Sequence, residues 1–262
     1  MPILPTDEII HGDNAEVMAG WPSDCIDLVV TSPPYDNLRT YGGHDWDFES
    51  VASQLWRVIK PGGVVVWVVA DATIDGSETG TSFRQALRFM EIGFRLHDTM
   101  IWEKTILPLT HNRYEQIWEF MFVFSRGKVS TFNPIKEPNR EAGRVQTGTK
   151  RHDLKTLGVL HGEGDRVRAT RIKGNVWKIN TGFNKSTKDV IAFRQPAIFP
   201  EALARDHISS WSNEGDIVLD PFAGSGTTLK MAKQEGRRFV GIEINADYVD
   251  ICRKRLAQEV LF

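Results

Sequence analysis

The chain has 262 residues, 41% hydrophobic and 25% charged, with a formal net charge of −2, which suits a globular protein with a sizeable core and excludes a disordered or fibrous one. So small a charge also excludes a polycation, and any nucleic-acid surface must be a local concentration of Lys and Arg. Two cysteines, Cys25 and Cys252, exclude a disulfide framework or a Cys-rich zinc site; the N-terminus lacks a signal-peptide pattern and the longest apolar run, Val64 to Ala70, is too short to span a bilayer, so a soluble protein of the reducing cytoplasm is expected.

In chain order, Ile26 to Val30 is an apolar strand that stops at Thr31-Ser32-Pro33-Pro34-Tyr35. Two prolines at a strand's end fix the backbone and remove its donors, leaving carbonyl acceptors pointing outward. That suits a substrate that donates hydrogen bonds, with Ser32 adding an acceptor and Tyr35 a flat face for stacking. The plainer alternative is a rigid turn with Tyr35 packed at the edge of the core. The following stretch, Asp36 to Asp47, carries Arg39, Tyr41 and a glycine pair; a loop that closes on a nucleic acid and an ordinary surface loop are both open.

Val51 to Ile59 is apolar at helical spacing and reads as a crossover helix, and Val64 to Ala70, just after Pro61-Gly62-Gly63, as a strand buried on both faces. Ser82 to Met90 gives a second helix with Phe83, Leu87 and Met90 on one face. Met100 to Glu103 and Ile117 to Phe124 are strand-like and are expected to pair near one edge of the sheet. Trp102 and Trp118 within them read as core residues rather than stacking platforms.

From Arg126 to Lys188 the periodicity fades. Fifteen Lys or Arg face five Asp or Glu there, a charge of +10 that leaves −12 for the rest, so a basic insert on an acidic core is expected. The seven histidines show no spacing that would build a metal site.

Regular structure returns with a helix over Phe199 to Trp211 and a strand, Ile217 to Leu219. Then comes Asp220-Pro-Phe-Ala-Gly-Ser-Gly-Thr-Thr228, a helix that Gly236 could close, the strand Arg238 to Ile244, and an amphipathic helix from Tyr248 onward. Gly224 and Gly226 let the backbone turn tightly and a ligand approach, and the helix start behind them offers free N–H groups to an anionic group. Nineteen positions past Gly224, Glu243 ends the next strand, where an acid can accept hydrogen bonds from both ribose hydroxyls of a nucleoside cofactor. A tight turn with an incidental glutamate is the bland alternative; strand, loop, helix, strand and acid together speak against it. A dinucleotide site lacks its third glycine here.

Together these segments resemble the DNA amino-methyltransferase family. The likeness rests on Thr31 to Tyr35, Asp220 to Thr228, Val240 to Asn245 and Gln195-Pro-Ala-Ile-Phe-Pro-Glu-Ala-Leu203. With the catalytic tetrapeptide first, the basic insert next and the cofactor loop last, the order is similar to that family's beta group. The resemblance implies a Rossmann-like α/β fold with a seven-stranded, mostly parallel sheet in circularly permuted order. Residues 1–125 would be the catalytic half, 126–188 a target-recognition insert and 189–262 the cofactor-binding half. The sheet would be completed across the termini, with Ile9 to Asp13 next to the strand bearing Glu243 and Asp13 near the adenine of S-adenosylmethionine.

The implied cofactor contacts are Asp13, Thr31, Pro200, Asp220, Phe222, Ala223, Gly224, Ser225, Gly226, Thr227 and Glu243. Phe222 and the loop backbone take the methionine end, and Glu243 the ribose. Ser32, Pro33, Pro34 and Tyr35 form the catalytic segment, with Ser32 and the Pro33 carbonyl holding the amino group and Tyr35 stacking on an extruded base. Arg39, Tyr41, Arg140, Arg144, Lys150 and Arg151 are the expected contacts to double-stranded DNA. No metal is expected. A cognate restriction nuclease, and a monomer or a homodimer, are all open.

Attack at cytosine carbon 5 would need a nucleophilic Cys beside a Pro, which neither cysteine has. A protein glutamine methyltransferase fits poorly, because the catalytic segment precedes the cofactor loop and position 32 is Ser rather than Asn. RNA amino-methylation and an inactive DNA-binding homologue are further alternatives. In this family Asp at the head of the tetrapeptide usually accompanies adenine, and Ser-Pro-Pro-Tyr more often cytosine. Cytosine N4 is therefore the expected target, with adenine N6 as the alternative.

Overall fold

The computed structural model describes residues 4–35, 46–105, 113–145, 150–151, 159–160, 166–195 and 198–258. It divides into two compact units, Met1–Asn133 with Asn175–Phe262, and Pro134–Gly174.

The larger unit is organised on one sheet. Its strands are β1 (Glu8–His11), β2 (Ile26–Thr31), β3 (Ile59–Val69), β4 (Arg95–Glu103), β5 (Trp118–Ser125), β6 (Val176–Lys178), β7 (Ile217–Asp220) and β8 (Arg238–Glu243). They lie in the order β1-β8-β7-β2-β3-β5-β4-β6. The first five in that order are parallel, β5 is antiparallel to both its neighbours, and β6 runs parallel to β4. The seven expected strands are thus joined by an eighth, Val176–Lys178, from the stretch where periodicity fades. Three residues are too few to show a pattern, and only Trp177 of the three is buried.

Leu28, Val29 and Val30 in β2, and Val65 to Val68 in β3, have no exposed surface. An unbroken apolar run is what a parallel strand covered on both faces requires. The helices are α1 (Asn14–Ala19), α2 (Phe48–Val58), α3 (Thr81–Ile92), α4 (Glu201–Trp211), α5 (Thr227–Gln234) and α6 (Ala246–Leu256). In α4 the expected face, Leu203, His207, Ile208 and Trp211, is buried. Among the described residues no helix is long and apolar enough to cross a membrane.

The sheet closes across the termini as expected: β1 pairs with β8, His11 opposite Glu243. From β7 the chain turns outward to β8, whereas from β2 it turns the other way to β3. The carboxyl ends of β7 and β2 therefore face a switch in direction, where an open α/β sheet leaves a crevice. Because β5 is antiparallel to β3, with Val69 opposite Phe120, its amino end opens on the same edge.

Helix α3 covers the expected Ser82 to Met90. Phe83, Leu87 and Met90 do share a face, but they are 52%, 60% and 45% exposed. The buried face is Ser82, Gln85, Ala86 and Phe89. Two of these are polar and satisfied: the Ser82 hydroxyl donates to Asp71, and Gln85 accepts from the Trp67 indole at 2.9 Å. A count of apolar residues passes over such positions.

In the smaller unit Lys136–Pro138 pairs with Thr170–Ile172, and Lys150–Arg151 with Val159–Leu160, both antiparallel. Its boundaries, 134 and 174, are narrower than the expected 126 and 188. The remainder of that span, β6 included, belongs to the larger unit.

Candidate active site

At the carboxyl ends of β7, β2 and β8 lies a cavity of about 720 Å³, lined among others by Ser32, Tyr35, Phe222, Ser225 and Glu243. The loop Pro221–Gly226 forms one wall. Gly224 (φ 50°) and Gly226 (φ 79°) both adopt the left-handed conformation that side chains disfavour. A Cβ on Gly226 would stand 2.2 Å from the Cys252 sulfur, and one on Gly224 2.2 Å from the Gln195 amide nitrogen. Tight packing and backbone conformation therefore demand glycine at both.

Two acids brace this wall. Asp220 accepts from the Thr31 hydroxyl at 2.7 Å and from the Phe222 N–H at 3.1 Å, tying β7 to the end of β2 and the Ser-Pro-Pro-Tyr segment that follows it. Burial pushes its carboxyl up to about 6, opposed by those hydrogen bonds. Glu243 accepts from the N–H groups of Gly224 and Asn245, each at 2.8 Å. Burial likewise raises its carboxyl, against those same bonds. Both Glu243 oxygens are fixed by backbone and keep lone pairs for a ligand.

Arg255 supports the loop from behind. It is 1% exposed and donates to the Ser225 carbonyl at 2.8 Å, the Ser225 hydroxyl at 3.2 Å and the Thr227 hydroxyl at 3.1 Å. It also pairs with Asp189 and Glu201, each at 3.0 Å, and Lys230 reaches the same two carboxylates at 2.8 Å.

Elsewhere in the lining Ser32 and Tyr35 share a hydroxyl–hydroxyl hydrogen bond of 2.8 Å. Tyr35 donates on to Glu119, at the start of β5, at 3.0 Å. Glu119 also accepts from Lys104, just past β4, at 2.7 Å. Trp46 packs edge-on against Phe222 with centroids 4.9 Å apart and lines the cavity.

Of the expected residues, Asp13, Ser32, Pro34, Tyr35, Asp220, Phe222, Ala223, Ser225, Thr227 and Glu243 line the cavity. Thr31, Pro33, Gly224, Gly226 and Pro200 are not among its lining. Thr31 is spent on Asp220, Pro33 is buried, the glycines lie within the loop's packing, and Pro200 occupies the N-cap of α4. Asp13 accepts from the Glu16 N–H as the N-cap of α1. Arg39 and Tyr41 lie outside the described residues. Arg140 and Arg144 are exposed in the smaller unit, Arg144 beside Glu141 at 3.1 Å, and Lys150–Arg151 forms one of its short strands.

Trp102 is buried, as a core residue should be, yet its edge also lines the cavity, as does the partly exposed Trp118. Sequence reasoning assigned no role to Trp46, Lys104, Glu119, Gln195 or Arg255. Gln195, which accepts from the Ser225 N–H at 2.7 Å, heads a stretch the resemblance includes, and that was the available signal for it.

A family model described as DNA methylase, for N6 and N4 methyltransferases, matches residues 26–254. The orphan methyltransferase M.BamHII of Bacillus amyloliquefaciens is 52% identical over 242 residues, 91% of each chain. The type II methyltransferase M.BglII of Bacillus subtilis is 28% identical, covering 96% of this chain and 69% of its own. Among solved structures, a putative DNA modification methylase of Thermus thermophilus, complexed with S-adenosyl-L-methionine, superposes with a TM-score of 0.64 at 26% identity, covering 95% of this chain and 93% of that one. The cytosine-N4-specific PvuII DNA methyltransferase gives a TM-score of 0.70 at 22% identity over 97% and 87%, a likeness of fold.

Proposed function

The chain belongs to the DNA methylase family of N6 and N4 methyltransferases, and we propose that it transfers a methyl group from S-adenosylmethionine to the N4 amino group of a cytosine turned out of double-stranded DNA. The observation that carries the choice of base is the neutral Ser32 at the head of Ser-Pro-Pro-Tyr, in the lining of the same cavity as Phe222, Ser225 and Glu243. An aspartate there would bring a full charge to the amino group, and serine brings a hydroxyl.

The residues present fit the cofactor. A cavity of about 720 Å³ is within the usual range for a ligand of this size. Glu243 presents a backbone-fixed carboxylate suited to two ribose hydroxyls, Asp13 stands at the same rim for the adenine, and Phe222 and the loop meet the methionine end. When bound, S-adenosylmethionine supplies an electrophilic sulfonium methyl group. The protein's task is then orientation: Ser32 and the adjacent carbonyl hold the amino nitrogen, Tyr35 stacks on the base, and the wall fixes the line of approach. Turning the base out costs a few kcal/mol, which contacts to the flipped base and to DNA phosphates must offset.

Those phosphate contacts belong, in this reading, to the unit Pro134–Gly174, which carries ten Lys or Arg against five Asp or Glu. Reversing Arg140, Arg144 and Arg171 to Glu should weaken DNA binding and flatten its dependence on salt while leaving cofactor affinity intact. A filter-binding salt titration identical to wild type would place recognition elsewhere.

Mass spectrometry of nucleosides from DNA treated with the purified protein tests the base directly. N4-methylcytosine is expected, and Ser32→Ala should reduce its yield severely. N6-methyladenine as the sole product would overturn the choice of base.

A further inference from the structure

A serine hydroxyl can donate or accept, so Ser32 by itself does not select an amino group. Its direction can be read by counting hydrogens along the chain of contacts that ends on it. The Lys104 ammonium has only donors and the Glu119 carboxylate only acceptors; they meet at 2.7 Å, with side chains 22% and 12% exposed. Tyr35 has one hydroxyl hydrogen, and its 3.0 Å contact with Glu119 is a hydrogen bond only if that hydrogen lies on it. The 2.8 Å contact between Ser32 and Tyr35 is then a hydrogen bond only with Ser32 donating. All four side chains line the cavity.

We propose that Glu119, paired with Lys104, sets the direction of the hydrogen bonds through Tyr35 to Ser32, so that Ser32 meets the base with lone pairs alone. Glu119 is thus a positioning residue for the methyl acceptor. The inference rests on the reading above that Ser32 receives the target amino group, and holds for either amino base. An exocyclic amino group donates to such an oxygen. A base with a carbonyl at the same place, thymine or guanine, sets lone pair against lone pair and is turned away. Ionic assistance at the far end strengthens each bond of the chain toward Ser32.

Glu119→Gln tests this with almost no change of shape. Its amide oxygen can still accept from Lys104, but its amide nitrogen donates to Tyr35. The Tyr35 hydrogen then turns to Ser32, and the Ser32 hydrogen turns out against the amino group. The expected result is a fall in kcat of about 10- to 100-fold, the scale of one mismatched buried hydrogen bond, with calorimetric S-adenosylmethionine affinity as in wild type and a cooperative melting transition retained above the assay temperature. Tyr35→Phe keeps the stacking ring and cuts the chain, leaving Ser32 free to rotate, so its loss should be smaller. The double variant is decisive: with the Tyr35 hydroxyl gone, the state of Glu119 no longer reaches Ser32, and the double variant should match Tyr35→Phe and exceed Glu119→Gln. A double variant as slow as Glu119→Gln or slower, or a Glu119→Gln protein with wild-type kcat, would overturn the inference. Product analysis keeps the two proposals apart. N6-methyladenine in place of N4-methylcytosine removes the choice of base and leaves the Glu119 assignment standing, since both amino groups donate.

Discussion

Gly224→Asp is expected to abolish measurable S-adenosylmethionine binding, with a loss of at least about 100-fold in affinity from strain and charge together. The backbone φ of 50° is one that a side chain occupies only at a cost of about 1–3 kcal/mol. The new Cβ would also fall 2.2 Å from the Gln195 amide nitrogen. Gln195 cannot simply swing away, because its amide oxygen holds the Ser225 N–H at 2.7 Å. Any retreat either frees that donor or shifts the loop against the cavity. The added carboxylate joins Asp220 and Glu243, two acids whose burial already opposes their charge, and repels the carboxylate of an incoming amino acid moiety. By contrast, Glu243→Ala removes hydrogen-bond acceptors without blocking the site and should cost only about 1–3 kcal/mol of binding. Calorimetric titration of each purified variant decides the matter, with thermal unfolding to show that the fold persists. Wild-type affinity in Gly224→Asp would remove the loop from the cofactor site.

The glycine loop and Glu243 could be read from sequence because their signal is local. A buried strand, two glycines, a helix and an acid 19 positions on are all expressed in a single stretch of chain. The meeting of that loop with Thr31–Tyr35 is not local, and came through the family resemblance; the Thr31–Asp220 hydrogen bond spans 189 positions. What stayed hidden has a common physical cause. Ser82 and Gln85 look like surface residues until their partners Asp71 and Trp67 are in place. Glu119 sits amid the aromatic residues of β5, and Lys104 just past β4, so neither suggests a pair until β4 and β5 are set side by side, with Glu103 opposite Trp118. Arg255 closes the run Arg253-Lys254-Arg255, which reads as the solvated basic end of a helix. Its two neighbours are exposed, as that reading expects, and Arg255 is not.

That contrast leads to the largest expected effect on stability. Arg255→Leu should destabilise the protein by about 3–5 kcal/mol, the cost of removing one partner from a buried ionic cluster. The guanidinium serves two carboxylates and three oxygens of Ser225 and Thr227 at once, a use of its planar fork that lysine cannot reproduce, so Arg255→Lys should fall between. In the variant Asp189 and Glu201 keep only Lys230 as a cationic partner within this cluster. Burial alone would push the Asp189 carboxyl up, yet the hydrogen bonds and charges of Lys230 and Arg255 outweigh it and hold the group below its ordinary value. A carboxyl depressed in the folded state contributes stability above its unfolded pKa and loses it as the pH falls through the folded one. Without Arg255 that contribution shrinks or reverses. The difference between wild type and Arg255→Leu should therefore be greatest near neutral pH and narrow as the carboxylates are protonated. Urea unfolding at several pH values measures it, read as a lower midpoint at an unchanged slope. Because Ser225 and Thr227 lose their anchor, cofactor affinity should weaken as well, even at temperatures where the variant remains folded. A wild-type midpoint near neutral pH would mean that Lys230 and water suffice for the two acids, and that the buried guanidinium is not what holds the loop.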